Sequence, residues 1–303
     1  MYVDNNWYSH RAVLAEYCET EDQMILESIQ HGVHINDYYS ENPGKLKLFF
    51  SKHLCWDRKY YEHCKSRGNN KIIPIGAPFL YLDKLLKNQK YKPALGTLVF
   101  PAHNNPGNNR GFKHELFIKK VMESHSGPYT ACIFFLDYNE STVNIYKKYN
   151  WNTVTCGDRN NSNFLKNLYG FLKEHENIVV TELGSTIYYS LYLNKKTSYF
   201  YKCKINNETI YLSDHTHPSN ISNDIFTKQI NEYKKKNYFL LEKIIDSNKG
   251  KELADIELGK EFFKTKDQLK KIIKFDNYLK KFIAIILSKV IDLKHKNMRA
   301  WKK

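Results

Sequence analysis

The stretch Asn177–Phe200, NIVVTELGSTIYYSLYLNKKTSYF, decides the fold. It opens with the apolar run Ile178–Val180, passes through ELGST, and continues as a helix-length segment before a second β-rich run. This order predicts a strand, a tight turn, a short helix and a further strand. Gly184 lets the backbone turn sharply or approach a ligand closely. Ser185 or Thr186 is expected to cap the helix that follows.

The same turn suggests an anion site. A helix that begins there offers unpaired N–H groups and the positive end of its dipole, and both suit a phosphate. The alternative is that Ser185 and Thr186 only cap the helix. The sequence on either side of the turn favours the anion site.

Residues 97–200 alternate strand-like apolar runs with helix-length segments. This alternation predicts a parallel sheet with right-handed crossovers. The wholly apolar run Tyr129–Leu136 predicts a strand that is covered on both faces of the sheet. Ligands bind at the carboxyl ends of such strands, so polar residues that follow strand ends are expected to converge. These residues are His103, Asp137, Asp158 and Glu182–Thr186.

An earlier strand-like run ends in QHGVHIND, residues 30–37. The segment holds two histidines and one aspartate, and loops at strand ends often carry catalytic groups. His31, His34 and Asp37 are therefore candidate catalytic bases. The alternative is a surface loop in a chain rich in Tyr and His.

The composition favours an anionic partner. The 303-residue chain has a formal net charge of +15, and residues 201–303 contribute +10 of it, with 23 Lys and Arg against 13 Asp and Glu. A nucleotide, a nucleic acid or an anionic membrane surface fits this charge. The amphipathic, lysine-rich segment Phe275–Leu293 suits a membrane surface or a helix packed on the protein body. No apolar run reaches the ~20 residues that a membrane span needs, so a cytoplasmic protein is expected.

Several common motifs are missing from the sequence. It contains no GxGxxG, no GxxxxGK[ST] and no GxSxG. His215 and His217 lack a carboxylate or cysteine at a diagnostic metal-binding spacing, and the six cysteines form no CxxC pair. Neither a metal nor a tightly bound cofactor is therefore expected.

Two α/β halves, the segment IQHGV after an early strand, and the late strand–ELGST–helix turn resemble the GT-B glycosyltransferases. The likeness is greatest to bacterial enzymes that build capsule or lipopolysaccharide, and it extends less strongly to sialyl- and Kdo-transferases. It implies an α/β fold of two Rossmann-like domains with a helical, basic C-terminal region. The implied domains are an acceptor-side domain (1–92), a nucleotide-sugar-binding domain (93–203) and a basic tail (204–303) that packs on the body or on a membrane.

The resemblance also assigns site residues. It implies that Gly184, Ser185 and Thr186 hold the donor phosphate, and that His31 or Asp37 removes the acceptor proton. Further donor contacts are then expected from His103, Asn104, Asp158, Arg159 and Glu182.

The implied activity is metal-independent transfer of a sugar from a nucleotide-sugar to a glycan or lipid-linked glycan at the inner face of the cytoplasmic membrane. Hexosyl, sialyl and Kdo transfer stay open. Two other functions remain as alternatives: nucleic-acid binding, and an inactive scaffold in polysaccharide assembly.

Overall fold

The computed structural model describes residues 7–20, 27–33, 52–68, 71–103, 111–182, 184–200, 202–205, 208–212 and 248–273. Its strands are β1 (Ser28–Ile29), β2 (His53–Cys55), β3 (Ile72–Pro74), β4 (Thr97–Phe100), β5 (Tyr129–Cys132), β6 (Asn152–Val154), β7 (Asn177–Val180), β8 (Lys196–Tyr199), β9 (Lys202–Ile205) and β10 (Glu208–Tyr211). Its α-helices are α1 (His10–Tyr17), α2 (Arg58–Ser66), α3 (Pro78–Leu86), α4 (His114–Ser124), α5 (Glu140–Lys147), α6 (Phe164–Glu174), α7 (Ser185–Tyr192), α8 (Asn248–Glu257) and α9 (Lys266–Ile273). Two short 3-10 helices are η1 (Trp7–Ser9) and η2 (Lys260–Phe262).

Five parallel strands form the larger sheet, in the order β6-β5-β4-β7-β8. Its central strands are in register, so that Val99 of β4 lies between Ala131 of β5 and Val179 of β7. All three side chains are fully buried, as expected for a parallel sheet covered on both faces. The chain runs outward from β4 to β6 and then returns to the other side of β4 at β7. This reversal is a topological switch point, where open α/β sheets bind their ligands.

Three short parallel strands, β1-β2-β3, form the smaller sheet. Leu54 of β2 pairs with Ile29 of β1 and with Ile73 of β3. Helix α2 follows β2, and the Asp57 side chain caps it by accepting a hydrogen bond from the Tyr60 N–H. Helix α3 follows β3. The predicted α/β fold with two Rossmann-like parallel units is therefore confirmed.

The two sheets share one apolar core. Leu54 of the smaller sheet belongs to the same buried cluster as Leu98 and Ile178 of the larger sheet. Helices α3 and α7 meet in this core, where the ring of Phe79 stacks on Tyr189 with centroids 4.1 Å apart. Because this cluster draws on both sides of the expected boundary, the domain limits stay a prediction.

In the C-terminal region, the described residues 248–273 are mostly helical and pack on the body. Helix α8 contacts α7, and α9 buries Leu269 and Ile273 in the shared core. Lys59 of α2 lies 2.8 Å from the carboxylate of Glu257 in α8. Residues 275–303, with the predicted membrane-contacting segment, lie outside the described residues. None of the described helices is long and apolar enough to cross a bilayer.

The expected strand over Tyr129–Leu136 is wrong in its second half. Strand β5 ends at Cys132, and the next three residues, Ile133, Phe134 and Phe135, line a cavity instead. A continuous apolar run is typical of a strand buried on both faces, but cavity walls need apolar side chains as well. The apolar run therefore predicted a strand that is longer than the one observed.

Candidate functional site

A cavity of about 340 Å³ lies at the carboxyl edge of the larger sheet. The segments that follow β4, β5, β6 and β7 all contribute to its wall, through Pro101, Ile133, Thr155 and Glu182. Since β4 and β7 flank the switch point, the cavity occupies the place where the sheet topology leaves room for a ligand.

The smaller sheet and the N-terminal segment supply the other side of the cavity. His31, Gly32 and Val33 follow β1 and line it, together with Tyr8 of η1 and His10 of α1. Loop residues of one sheet therefore face the strand ends of the other across this cavity. A ligand held there would contact both halves of the molecule.

The N-terminus of α7 points its first residues at the cavity. Gly184 occupies the cap position in an extended conformation, with φ −176°, and it makes no side-chain cap. Gly184, Ser185 and Thr186 all line the cavity. The expected side-chain cap by Ser185 or Thr186 is therefore wrong. The first N–H groups of a helix have no acceptor within that helix and remain suited to an anion.

The hydroxyl of Ser185 is engaged by protein groups. Its Oγ accepts a hydrogen bond of 3.0 Å from the N–H of Val33. Burial raises the pKa of the Tyr189 phenol, and a side-chain hydrogen bond with Ser185 opposes that rise. The Ser185 side chain therefore lies at the contact between the segment after β1 and the first turn of α7.

His31 lies in an aromatic and cationic setting. The Trp7 ring meets the His31 ring edge-on, with centroids 5.3 Å apart. The Arg159 guanidinium lies over the same Trp7 ring, 4.3 Å from its centroid. Arg159 is thus bound to the N-terminal segment by a cation–π contact, and its carbonyl accepts a hydrogen bond from the Tyr8 N–H.

Aromatic rings form much of the remaining wall. His103 stacks on Phe134 with centroids 4.3 Å apart. Tyr8 meets Phe164 of α6 edge-on at 5.0 Å. Flat apolar faces of this kind bind nucleobases and sugar rings, while the imidazole edge offers a polar group.

The structure brings most of the candidate residues together. His31, His103, Glu182, Gly184, Ser185 and Thr186 line the one cavity. Asp158 and Arg159 follow β6 but are not among its lining residues. The Asp158 carboxylate accepts a hydrogen bond of 2.8 Å from the Asn160 N–H, so it holds a turn next to Gly157, which does line the cavity. Asp37, His34 and Asn104 lie outside the described residues.

Several lining residues could not be predicted from the sequence. Tyr8 and His10 come from the N-terminal segment, far along the chain from the strand ends, and no local pattern marks them. Cys132 and Cys156 also line the cavity, with their sulfur atoms 3.6 Å apart. Their mutual hydrogen bond and burial raise the pKa of the Cys156 thiol, which keeps it protonated.

The imidazole and carboxylate groups of the described lining are those of His10, His31, His103 and Glu182. Among the residues that the structure describes, no three His, Cys, Asp or Glu side chains lie close enough to form a metal site. The N-terminal end of the α7 dipole adds positive potential on the side of the cavity where Gly184, Ser185 and Thr186 lie.

No protein-family model matches the chain, and no curated protein matches it. Among solved structures, the chain is similar to a glycosyltransferase from Rickettsia africae ESF-5, with 14% identity and a TM-score of 0.32. The match covers 81% of this chain and 70% of that one. A likeness of this degree does not indicate a function for this chain.

Proposed function

We propose that the chain is a glycosyltransferase that moves a sugar from a nucleotide-sugar to a surface-glycan acceptor. One observation carries the proposal. The N-terminus of α7 and the His31 loop, which belong to different sheets, meet in one cavity at the switch point. Transfer of a sugar from a phosphate leaving group requires a site that stabilises the leaving phosphate and a base that takes the acceptor proton. Here an anion site and an imidazole face the same space.

In this proposal the donor phosphate lies at the N-terminus of α7. The N–H groups of Gly184, Ser185 and Thr186 and the Thr186 hydroxyl bind its oxygens, and the dipole of α7 adds positive potential. His103 contributes a further hydrogen bond. Glu182 binds a hydroxyl of the sugar or ribose. Because these donors are fixed before the reaction, they stabilise the leaving phosphate in a metal-independent mechanism.

The acceptor enters on the side of the smaller sheet. His31 takes the proton of the acceptor hydroxyl as its oxygen forms a bond to the anomeric carbon. The bond from that carbon to the donor phosphate breaks, and the nucleotide leaves with its charge held at α7. An imidazole suits this role at neutral pH because its ordinary pKa lies close to neutrality. Asp37 and His34 stay alternative bases.

Three finer points belong to the same proposal. Asn104, Asp158 and Arg159 are expected to complete the donor site from the loops around it. The acceptor is a capsule-type or lipopolysaccharide-type glycan, free or lipid-linked, and the basic segment 275–303 contacts the anionic inner face of the cytoplasmic membrane. Hexosyl, sialyl and Kdo transfer remain open.

A thermal-shift screen against CMP, UDP, GDP, dTDP and ADP tests the donor site. A nucleotide that binds only the native state raises the unfolding midpoint by mass action. The variant Thr186→Ala loses one hydrogen bond to a charged group and should bind that nucleotide about 10- to 100-fold more weakly. The matched control is Thr209→Ala, on the exposed side of β10, which should keep the wild-type affinity.

The nucleotide that binds identifies the donor class. CMP would indicate a sialic acid or Kdo donor, whereas UDP or GDP would indicate an ordinary hexose. If no nucleotide shifts the midpoint, the proposal fails. Salt-sensitive binding of DNA or RNA would then favour the nucleic-acid alternative, and the absence of both would favour a scaffold.

A further inference from the structure

Gln30 is a fully buried polar residue directly before His31. Its Oε1 accepts a hydrogen bond of 2.7 Å from the Trp56 N–H. Its Nε2 donates to the carbonyl of Gly32 at 2.8 Å and to the carboxylate of Asp57 at 3.2 Å. The amide is fixed in this orientation, because Trp56 needs an acceptor and Gly32 needs a donor.

Hydrogen bonds of Gln30 anchor the backbone on both sides of His31. The Gln30 N–H continues the pairing of β1 with β2 through the Leu54 carbonyl, at 2.9 Å. Two residues later the Gln30 side chain holds the Gly32 carbonyl. His31 therefore sits between two points that are anchored to the smaller sheet, and the buried amide limits how far its backbone moves.

The same hydrogen-bond chain reaches the larger sheet. After Gly32, the N–H of Val33 donates to Ser185 Oγ at 3.0 Å. Gly32 is in close contact there, since a Cβ added to it would lie 3.3 Å from Ser185 Oγ. The bonds thus connect the N-terminus of α2, through Asp57 and Gln30, to the first turn of α7.

We propose that Gln30 is a positioning residue that sets His31 against the N-terminus of α7, and that the Ser185 hydroxyl is a latch between the two sheets. The catalytic meaning of this placement rests on the proposed glycosyl transfer. The latch, which is the hydrogen bond from the Val33 N–H to Ser185 Oγ, does not depend on that function.

A pair of substitutions separates positioning from stability. Gln30→Glu keeps an acceptor for Trp56 but places a second carboxylate against Asp57, and it removes the donor to Gly32. Asp57→Asn, added to it, supplies an amide that donates to Glu at position 30, and Asn caps a helix as well as Asp does. The double variant therefore restores the contact between positions 30 and 57, but not the bond to Gly32.

The latch is measured by hydrogen exchange of the Val33 amide. In Gln30→Glu and in the double variant, we expect this amide to exchange about 10- to 100-fold faster than in the wild type. The unfolding midpoint should fall in Gln30→Glu and recover in the double variant, where the amide at position 57 donates to the carboxylate at position 30. Ser185→Ala, which removes the acceptor of the Val33 N–H, should speed the same exchange with Gln30 unchanged.

The positioning role is measured by kinetics with nucleotide-sugars that carry the nucleotide found in the screen. We expect kcat of the double variant to fall about 10- to 100-fold, while KM for the donor stays within about twofold. A structural role alone would recover kcat together with stability. Wild-type Val33 exchange, or wild-type kcat, in the double variant would overturn the proposal. If no nucleotide-sugar is turned over even by the wild type, the proposed function fails, and Val33 exchange alone decides the latch.

Discussion

At the scale of single residues, Gly259 shows how closely the C-terminal region is fitted to the body. Its φ is +64°, in the left-handed region that favours glycine. A Cβ at this position would lie 1.8 Å from the carbonyl oxygen of Trp56, at the end of the smaller sheet. The Trp56 carbonyl oxygen belongs to the backbone and a Cβ is attached directly to it, so no side-chain rotation relieves this clash.

Gly259→Ala should therefore reduce the free energy of unfolding by more than about 3 kcal/mol, from backbone strain and the clash together. Gly68→Ala is the matched control. Gly68 has φ +78° but open space where a Cβ would be, so only the strain of about 1 kcal/mol remains. Urea unfolding measures the free energy of unfolding of both variants. Equal decreases in the two variants would show that the structure relieves the clash at Gly259.

At the scale of elements, α6 receives its cap from a distant segment. The residue before α6, Asn163, makes no side-chain cap. The Oγ of Ser9 instead accepts a hydrogen bond of 2.9 Å from the Leu165 N–H in the first turn of α6. Ser9 is fully buried. This bond ties the N-terminal segment that carries Tyr8 to the helix that forms one wall of the cavity.

Ser9→Ala should lower the free energy of unfolding by about 1 kcal/mol, the usual cost of a lost cap. Ser66→Ala serves as its control, because the Ser66 hydroxyl is exposed and bonds only the His63 carbonyl within α2. Ser66→Ala should change the free energy of unfolding by no more than about 0.5 kcal/mol. Chemical denaturation of the two variants under the same conditions makes the comparison. A loss in Ser9→Ala no larger than in Ser66→Ala would refute the capping role.

At the scale of the whole molecule, three half-buried histidines set a pH dependence. Burial lowers the pKa of His114, His125 and His175 from 6.5. Below pH 6.5 the unfolded chain therefore binds more protons than the folded protein at these sites. Stability from these groups is present above pH 6.5 and is lost as pH falls through their folded pKa values. Glu257 acts in the opposite direction, because burial raises its pKa.

We expect the unfolding midpoint to be lower at about pH 5.5 than at about pH 7.5. His125→Gln tests the cause. It removes one titrating group and keeps a side chain able to bond Ser198, which His125 contacts at 3.0 Å. The variant should lose less stability than the wild type over this interval. An equal loss in both would assign the pH dependence to other groups.

The larger sheet could be predicted from the amino-acid sequence. The alternation of residues 97–200 indicated parallel strands joined by helices, because burial on both faces demands apolar runs of strand length. It also indicated the edge at which polar groups would gather, since parallel strands end on the same side. His103, Glu182 and Thr186 were found in this way, and all three line the cavity.

The contacts of those groups depend on how the two sheets pack, which the sequence pattern does not show. The sequence could not show that Ser185 bonds Val33, 152 residues away in the chain, or that Gln30 bonds Asp57. Nor could it show that Tyr8 would reach the cavity. Periodicity records which face of an element is buried, and it holds no information on which distant element covers that face. The partner of a buried hydroxyl or amide is fixed only when the two sheets pack on their common core.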